Sequence, residues 1–311
     1  NLAGLLSDEL NINKEKVQVA ASISKSDLCS DLVGEYPELQ GVMGKYFALA
    51  QGFEDDVANS ISEHYLPVGL TSAIPKKPFS YSIAAVDKID TLVGFFLINE
   101  KPTSSKDPFA LRRSAIGLLR IIIENKLSIR LRDLINYAIR LYEEQGVEIK
   151  NENTEVEVLN FLKERMKNIL KLKNIKIDII EASISSHNGD NFLDLYKKNL
   201  LMNKYINKVV GINAISSYKR ASSITDKAGR KITGRPDAVL FRTEEEKILF
   251  EKINEIRKAF TVKENNKDYE NLLIRLSETK QFTDNFFDNV VVNDENQDIK
   301  NNRLELLKMF C

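Results

Sequence analysis

The sequence predicts a mostly α-helical protein, and three observations carry that expectation. Apolar residues recur at three- and four-residue spacing through most of the chain, the 7 prolines and 13 glycines sit mostly between those periodic stretches, and few segments alternate apolar with polar residues as half-buried strands do. At 311 residues the chain is long enough for about two domains. A composition of 43% hydrophobic and 29% charged residues is that of an ordinary globular protein with real cores.

Taken in order, "GLTSAIPKKPFS" (69–80) reads as a loop rich in proline and lysine, and "LVGFFLI" (92–98) as a buried segment. In 107–125, Asp107 is expected as the N-cap and Pro108 as the first helical residue, where its missing N–H costs nothing. Ala110, Leu111, Ala115, Leu118, Leu119 and Ile122 then share one face. In "SIRLRDLINYAIRLYEEQG" the stripe is Leu131, Leu134, Ile135, Ala138, Leu141 and Tyr142, and Gly146 closes the helix. "IKNENTE" (149–155) reads as a polar turn and a linker. The next helix opens with an expected capping box from Thr154 to Glu157 and continues through Leu159, Leu162, Met166, Ile169 and Leu170. "DKAGRKITGRPD" (226–237) is a second loop, 244–260 and the final "NNRLELLKMF" read as helices, and "NVVVN" (289–293) is the best strand-like run.

Formal net charge is zero, so only the distribution of charge is informative. Residues 201–236 carry eight basic side chains (Lys204, Lys208, Lys219, Arg220, Lys227, Arg230, Lys231 and Arg235) against the single acid Asp226. Such a block is either a phosphate-facing surface or a solvated loop whose lysines serve solubility. Residues 237–311 lean the other way, with twelve basic and sixteen acidic groups. The two cysteines, Cys29 and Cys311, make neither a disulfide framework nor a zinc site and fit a reducing compartment. No apolar run approaches the ~18–20 residues that span a bilayer. A start at Asn1 without methionine and an end on "LLKMFC" suggest a piece of a longer protein.

The candidate chemistry is sparse. His187, in "SSHNGD", reads as a solvated loop residue, and His64, in "SEHYLP", as a helix-closing histidine before Pro67. Asp87 and Asp90, three apart in "AAVDKIDTL", are neighbours on one helix face, which suits a cation or, more commonly, a plain surface pair. There is no GxGxxG or GxxxxGK[ST] loop, and neither cysteine has a histidine nearby to act as its base. In "SKDPFALRR", Lys106, Arg112 and Arg113 cluster at a helix start, where they either grip phosphate or bridge to acids of a neighbouring helix, Asp87 and Asp90 among them.

Four stretches, in order and spacing, carry a family resemblance: "DLVGEYPELQGVMGKYFALAQG", "EHYLP", "DKIDTLVGFFLINEKPTSSKDPFALRRSAIGLLRI" and "FFDNVVVNDE…IKNNRLELL". Together they resemble the C-terminal half of the β subunit of bacterial glycyl-tRNA synthetases, over essentially the whole chain. The resemblance implies an HD-like helical domain over 1–150, a helical connecting segment over 151–194, and a helical-bundle anticodon-binding domain over 195–311. In metal-dependent HD phosphohydrolases the ligands are a His, a His-Asp doublet and a later Asp. Here Asp87 resembles the last of these, but no His-Asp doublet occurs and the region expected to hold it reads "EYPELQ". A lost metal site is therefore expected, with His64 and Asp87 its remaining candidates.

In the second half, "AISSYKRASSIT" matches the anticodon-binding pattern at Lys219 and Arg220, while Ser223 replaces the asparagine expected before Ile224. The resemblance implies tRNA contacts at Lys219 and Arg220, with Arg230, Lys231 and Arg235 as phosphate partners. Asn302 and Arg303 match the family motif either as RNA contacts or as packing buttresses. Arg112 and Arg113 are further candidates for RNA. The family's α subunit carries the class II catalytic site, which uses ATP and Mg²⁺ to make glycyl-adenylate, within a heterotetramer. This chain is then expected to recognise and position glycine tRNA, to contain no catalytic residue and no cofactor of its own, and to have no membrane association. The alternatives are an HD-type metal-dependent phosphohydrolase and a purely structural subunit-docking module.

Overall fold

A computed structural model of the chain describes residues 1–187, 189–228, 232–260 and 268–310. Among these residues the regular structure is helical throughout, with fifteen α-helices, three short 3-10 turns and no β-strand. The mostly α expectation holds. No helix among the described residues is long and apolar enough to cross a membrane. The chain divides into two compact units, Asn1–Lys197 and Lys198–Cys311.

The first unit contains α1 (Leu2–Leu10), α2 (Lys14–Ile23), α3 (Asp31–Glu35), α4 (Val42–Ala50), α5 (Asp55–Glu63), α6 (Pro78–Leu97), α7 (Leu111–Glu124), α8 (Leu131–Glu144), α9 (Thr154–Leu172) and α10 (Ile177–Ser186), and α11 (Phe192–Tyr205) begins in it. Its hub is α6, which packs against α1, α2, α5, α7, α8 and α9. A helix with this many neighbours must be apolar over most of its surface. Accordingly Ile83, Ala84, Ala85, Ile89, Leu92, Val93, Phe96 and Leu97 are all buried.

Several local expectations are corrected. Helix α7 begins at Leu111, not at Pro108, and its N-cap position is Ala110, held at φ 53°. Asp107 still caps it, from one turn earlier. Its carboxylate accepts from Leu111 N at 2.8 Å and from Arg112 N at 3.0 Å. Pro108 and Phe109 form the turn that makes this possible, with Phe109 stacked at 4.0 Å on Phe95 of α6. Of the expected stripe, Leu111, Ala115, Leu118, Leu119 and Ile122 are buried and Ile121 joins them, whereas Ala110 is half-buried at the cap rather than on the buried face. Gly146, at φ 76°, closes α8 as read from the sequence.

The capping box at Thr154 does not form. The Thr154 hydroxyl donates to the Asn151 carbonyl at 2.6 Å, and Glu157 receives the Asn151 amide and the Lys101 ammonium instead. Residues 149–155, expected as a linker, are a packed turn inside the first unit: Asn151 is buried and donates to the Phe96 carbonyl at 3.1 Å. The "NVVVN" run is not a strand: α14 ends at Asn289, and an extended segment follows with Val290 and Val292 buried and Val291 exposed.

The second unit is a helical bundle of α12 (Val209–Lys227), α13 (Glu244–Phe260), α14 (Tyr269–Asn289) and α15 (Gln297–Phe310). Helices α12 and α13 both pack on α14 and on α15. The core gathers Ala221, Leu249, Ile253, Phe286, Val290, Leu304, Leu306 and Leu307. On α12 the buried ridge is Ser217, Ala221 and Thr225, small side chains four residues apart that let α14 approach closely. The Thr283 hydroxyl donates to Ser217 at 3.1 Å and pins the two helices together.

Candidate nucleic-acid interface

With 217, 221 and 225 turned inward, α12 presents Tyr218, Lys219 and Arg220 to solvent. The two cations that look equivalent in sequence have different surroundings. Arg220 lies against α14, pairing with Asp284 at 3.0 Å and Asp288 at 3.6 Å, its guanidinium 4.5 Å over the Phe287 ring. Lys219 is exposed and has no ion-pair partner among the described residues. Arg235 is likewise exposed and unpaired among them. Arg230 and Lys231 lie outside the described residues.

Beside this face a cavity of about 300 Å³ opens between α12, α13, α14 and the end of α15. Ile253, Ile256, Leu276 and Met309 give it apolar walls, and Tyr218 and Arg257 stand at its margin. The Tyr218 ring is 47% exposed, and Arg257 is exposed with no partner among the described residues. The site therefore combines a flat aromatic surface, an apolar recess and cations whose charge is not neutralised. A larger cavity of about 970 Å³ between α12, α13 and α14 differs in chemistry. Its cations are engaged locally, Lys252 with Glu255 at 2.8 Å, Arg275 with Asn271 at 2.8 Å, and Lys280 with Asp284.

Arg303 is nearly inaccessible, its side chain 5% exposed. Its Nε donates to Glu246 at 2.7 Å, and one terminal nitrogen donates to Asp294 at 2.8 Å and to the Val291 carbonyl at 2.9 Å. Glu246 is fully buried and also accepts from the Arg242 and Thr243 backbone N–H groups. Burial alone would push its carboxyl up, but the Arg303 guanidinium and those N–H groups together hold it below the usual carboxylate range. Asn302 exchanges hydrogen bonds with the Asp237 backbone, accepting at 2.6 Å and donating at 3.0 Å. Of the two roles read for this pair, buttressing is the one the contacts describe.

In the first unit, Arg112 donates to the Thr103 carbonyl, while Arg113 is exposed and unpaired among the described residues. Neither bridges to the neighbouring acids. Asp87 pairs with Lys25 at 2.5 Å, and Asp90 accepts from the Tyr142 hydroxyl at 3.1 Å. His64 closes α5 as read, fully buried, with Nδ1 2.6 Å from the Ile61 carbonyl and its ring 3.8 Å from that of Tyr65. Burial lowers its pKa despite the nearby Asp87. No three His, Cys, Asp or Glu side chains gather as a metal-binding group among the described residues. His187 is buried rather than solvated, with its carbonyl accepting from Lys163 at 2.8 Å.

Beside His64 lies a group the sequence did not flag. Lys88 of α6 is 4% exposed and donates to the His64 carbonyl at 3.1 Å. Its aliphatic stem lies against Gly117 of α7, where an added Cβ would come within 2.8 Å of it and displace the stem. Burial pushes its pKa down to about 8. In the second unit, Tyr218 and Arg257 were missed too. The available signal for Tyr218 was an aromatic off the buried ridge of α12, directly before two cations.

Comparison with known proteins supplies the remaining findings. Residues 1–185 match the family model for the glycyl-tRNA synthetase beta subunit, and residues 214–310 match that for the DALR anticodon binding domain. The chain is 41% identical over 299 residues to the glycine–tRNA ligase beta subunit of Rickettsia canadensis (strain McKiel). It is 40% identical over 299 residues to those of Rickettsia africae (strain ESF-5) and Rickettsia conorii (strain ATCC VR-613 / Malish 7). Each alignment covers 96% of this chain and 43% of the relative, so the chain spans less than half the length of these curated relatives.

Proposed function

The chain belongs to the family of the glycyl-tRNA synthetase beta subunit, and from that premise we propose that it is the tRNA-recognition part of a glycine–tRNA ligase. In this reading it positions glycine tRNA for a separate α subunit in a cytoplasmic heterotetramer, and ATP and Mg²⁺ act in that subunit. The observation that carries the reading is the α12 face: exposed Tyr218 and unpaired Lys219 beside an apolar recess with Arg257 at its margin. Single-stranded RNA bases stack on aromatic rings and insert into apolar recesses, while cations around them neutralise phosphates. The recess, at about 300 Å³, is at the small end of ligand pockets and suits one base rather than a run of them.

Lys219 and Arg235 are the proposed phosphate contacts of this face, and Arg113 is a candidate in the first unit. Arg220 reaches RNA only by exchanging Asp284 and Asp288 for a phosphate. Arg303 and Arg112 are engaged within the fold and are assigned to packing.

A fluorescence titration of the chain with glycine tRNA and an anticodon-swapped copy, each at two salt concentrations, tests the reading. Binding that weakens with salt and again on the swap supports it. Equal affinity for both tRNAs would move base reading out of this chain.

A further inference from the structure

A second acid-free run of positive charge lies outside the α12 face. Residues 165–177 carry Arg165, Lys167, Lys171, Lys173 and Lys176 with no acid among them. This is five basic groups in thirteen residues. The run spans the last turns of α9, the turn itself and the start of α10.

The five cations do not share one fate. Arg165 lies 4.9 Å over the Phe161 ring, and Lys167 pairs with Glu164 and Glu181, both at 3.0 Å. Those pairs also account for the nearest acids. Asp178 turns its carboxylate to the Ile179 N–H at 2.9 Å. Lys171, Lys173 and Lys176 are exposed and have no ion-pair partner among the described residues.

They also stand on a defined turn rather than a loose one. Asn174 takes a left-handed φ of 57°, and Ile175 is buried directly after it. The Asn174 N–H donates to the Lys171 carbonyl at 3.0 Å, and the Ile175 N–H reaches back to Leu170 at 3.3 Å. Three unpaired ammonium groups within six residues of a fixed turn repel one another unless an anion lies between them.

We infer that the α9–α10 turn is a second RNA contact, in which Lys171, Lys173 and Lys176 bind the phosphodiester backbone of the tRNA. The inference rests on the tRNA reading above and adds a site to it in the other unit. Lysine is a point charge without the planar fork that reads base edges, so this contact supplies affinity and salt dependence but no discrimination between anticodons. Leu172 and Ile177, both more than 60% exposed, flank the lysines. Two apolar side chains are few for a membrane-surface site, and RNA is therefore the favoured anion.

The test is a salt series on the chain carrying Lys171→Gln, Lys173→Gln and Lys176→Gln together, titrated with glycine tRNA. A Lys→Arg triple variant serves as the charge-preserving control. Each phosphate neutralised on a duplex contributes about 0.9 to the slope of log affinity against log salt. The glutamine variant is expected to show a slope shallower by about two to three. It should bind tenfold or more weakly at low salt, with the ratio between cognate and anticodon-swapped tRNA unchanged, while the arginine variant keeps the parent slope. An unchanged slope in a glutamine variant of parental helicity overturns the inference and leaves the tRNA reading standing. Loss of binding to phosphatidylserine vesicles with an unchanged tRNA slope would assign the turn to a membrane and also overturn it. A parent chain that binds no tRNA at any salt would sink the tRNA reading and this inference with it.

Discussion

Positive charge is handled in opposite ways at the centre of the first unit and along α12 of the second. Lys88 sits inside a helical core, with the His64 carbonyl as its acceptor and Gly117 against its stem. Lys219 stands in solvent beside an aromatic ring and an apolar recess, with nothing among the described residues to neutralise it. The same division appears within the second unit, where Arg303 is enclosed by Glu246 and Asp294 while Arg257 is open. A cation whose partners are internal holds the fold, and one without partners is available to a ligand. Residue type and family motif do not make that distinction, because Arg303 and Lys219 both match the pattern.

The largest effect is expected at Arg303. Arg303→Ala leaves the Glu246 carboxylate buried without its cation, and a loss of about 3–5 kcal/mol of unfolding free energy is expected by urea denaturation. A variant of parental stability but weakened tRNA binding would place Arg303 with the RNA contacts instead.

Lys88 supplies the next largest effect, through pH. Its folded pKa of about 8 lies below the unfolded value, so between those values the unfolded chain holds a proton that the folded chain has released. Stability therefore rises with pH across that window, by about 3 kcal/mol if Lys88 acts alone. Below about pH 8 the lysine is charged in both states and adds no slope. In Lys88→Met the rise disappears, and a variant that keeps it would show the slope to come from other groups.

A smaller effect is expected at Asp107, whose carboxylate caps two N–H groups of α7. Asp107→Ala should cost about 1–2 kcal/mol, with no change in salt-dependent RNA binding. Lys219→Ala sharpens the comparison from the other side. Stability should stay within about 0.5 kcal/mol of the parent while the salt slope of tRNA binding becomes shallower by about one.

Much of the fold was legible in the sequence because packing follows helical periodicity. The stripes of α7 and α9 are buried nearly residue for residue, that of α8 is buried from Leu131 to Ala138 and half-buried at Leu141 and Tyr142, and Gly146 ends α8 where its positive φ allows. The helix starts were less legible. Asp107 caps α7 across a turn that depends on Phe109 finding Phe95, and Thr154 turns to Asn151 because Glu157 is drawn off by Lys101 and Asn151. Both outcomes are decided by residues outside the local pattern. At the candidate site, Lys219 and Arg220 were read together because both match the family pattern in "AISSYKRASSIT". Their separation was not readable, since Asp284 and Asp288 come from another helix. Lys88 was hidden for a similar reason: a lysine between two aspartates on a helix reads as solvent-facing until six other helices are packed around α6.

In the proposed complex the recess beside Tyr218 receives one base of the tRNA. This placement is tested most directly by titrating the parent chain and Tyr218→Ala with glycine tRNA, intact and with each anticodon position made abasic in turn. Tyr218→Ala is expected to weaken binding of the intact tRNA by about 1–3 kcal/mol, the range for one stacked base. One abasic position should abolish that difference between the two proteins, and the others should preserve it. A Tyr218→Ala chain that binds intact tRNA like the parent, or a difference that survives at every abasic position, would contradict this placement.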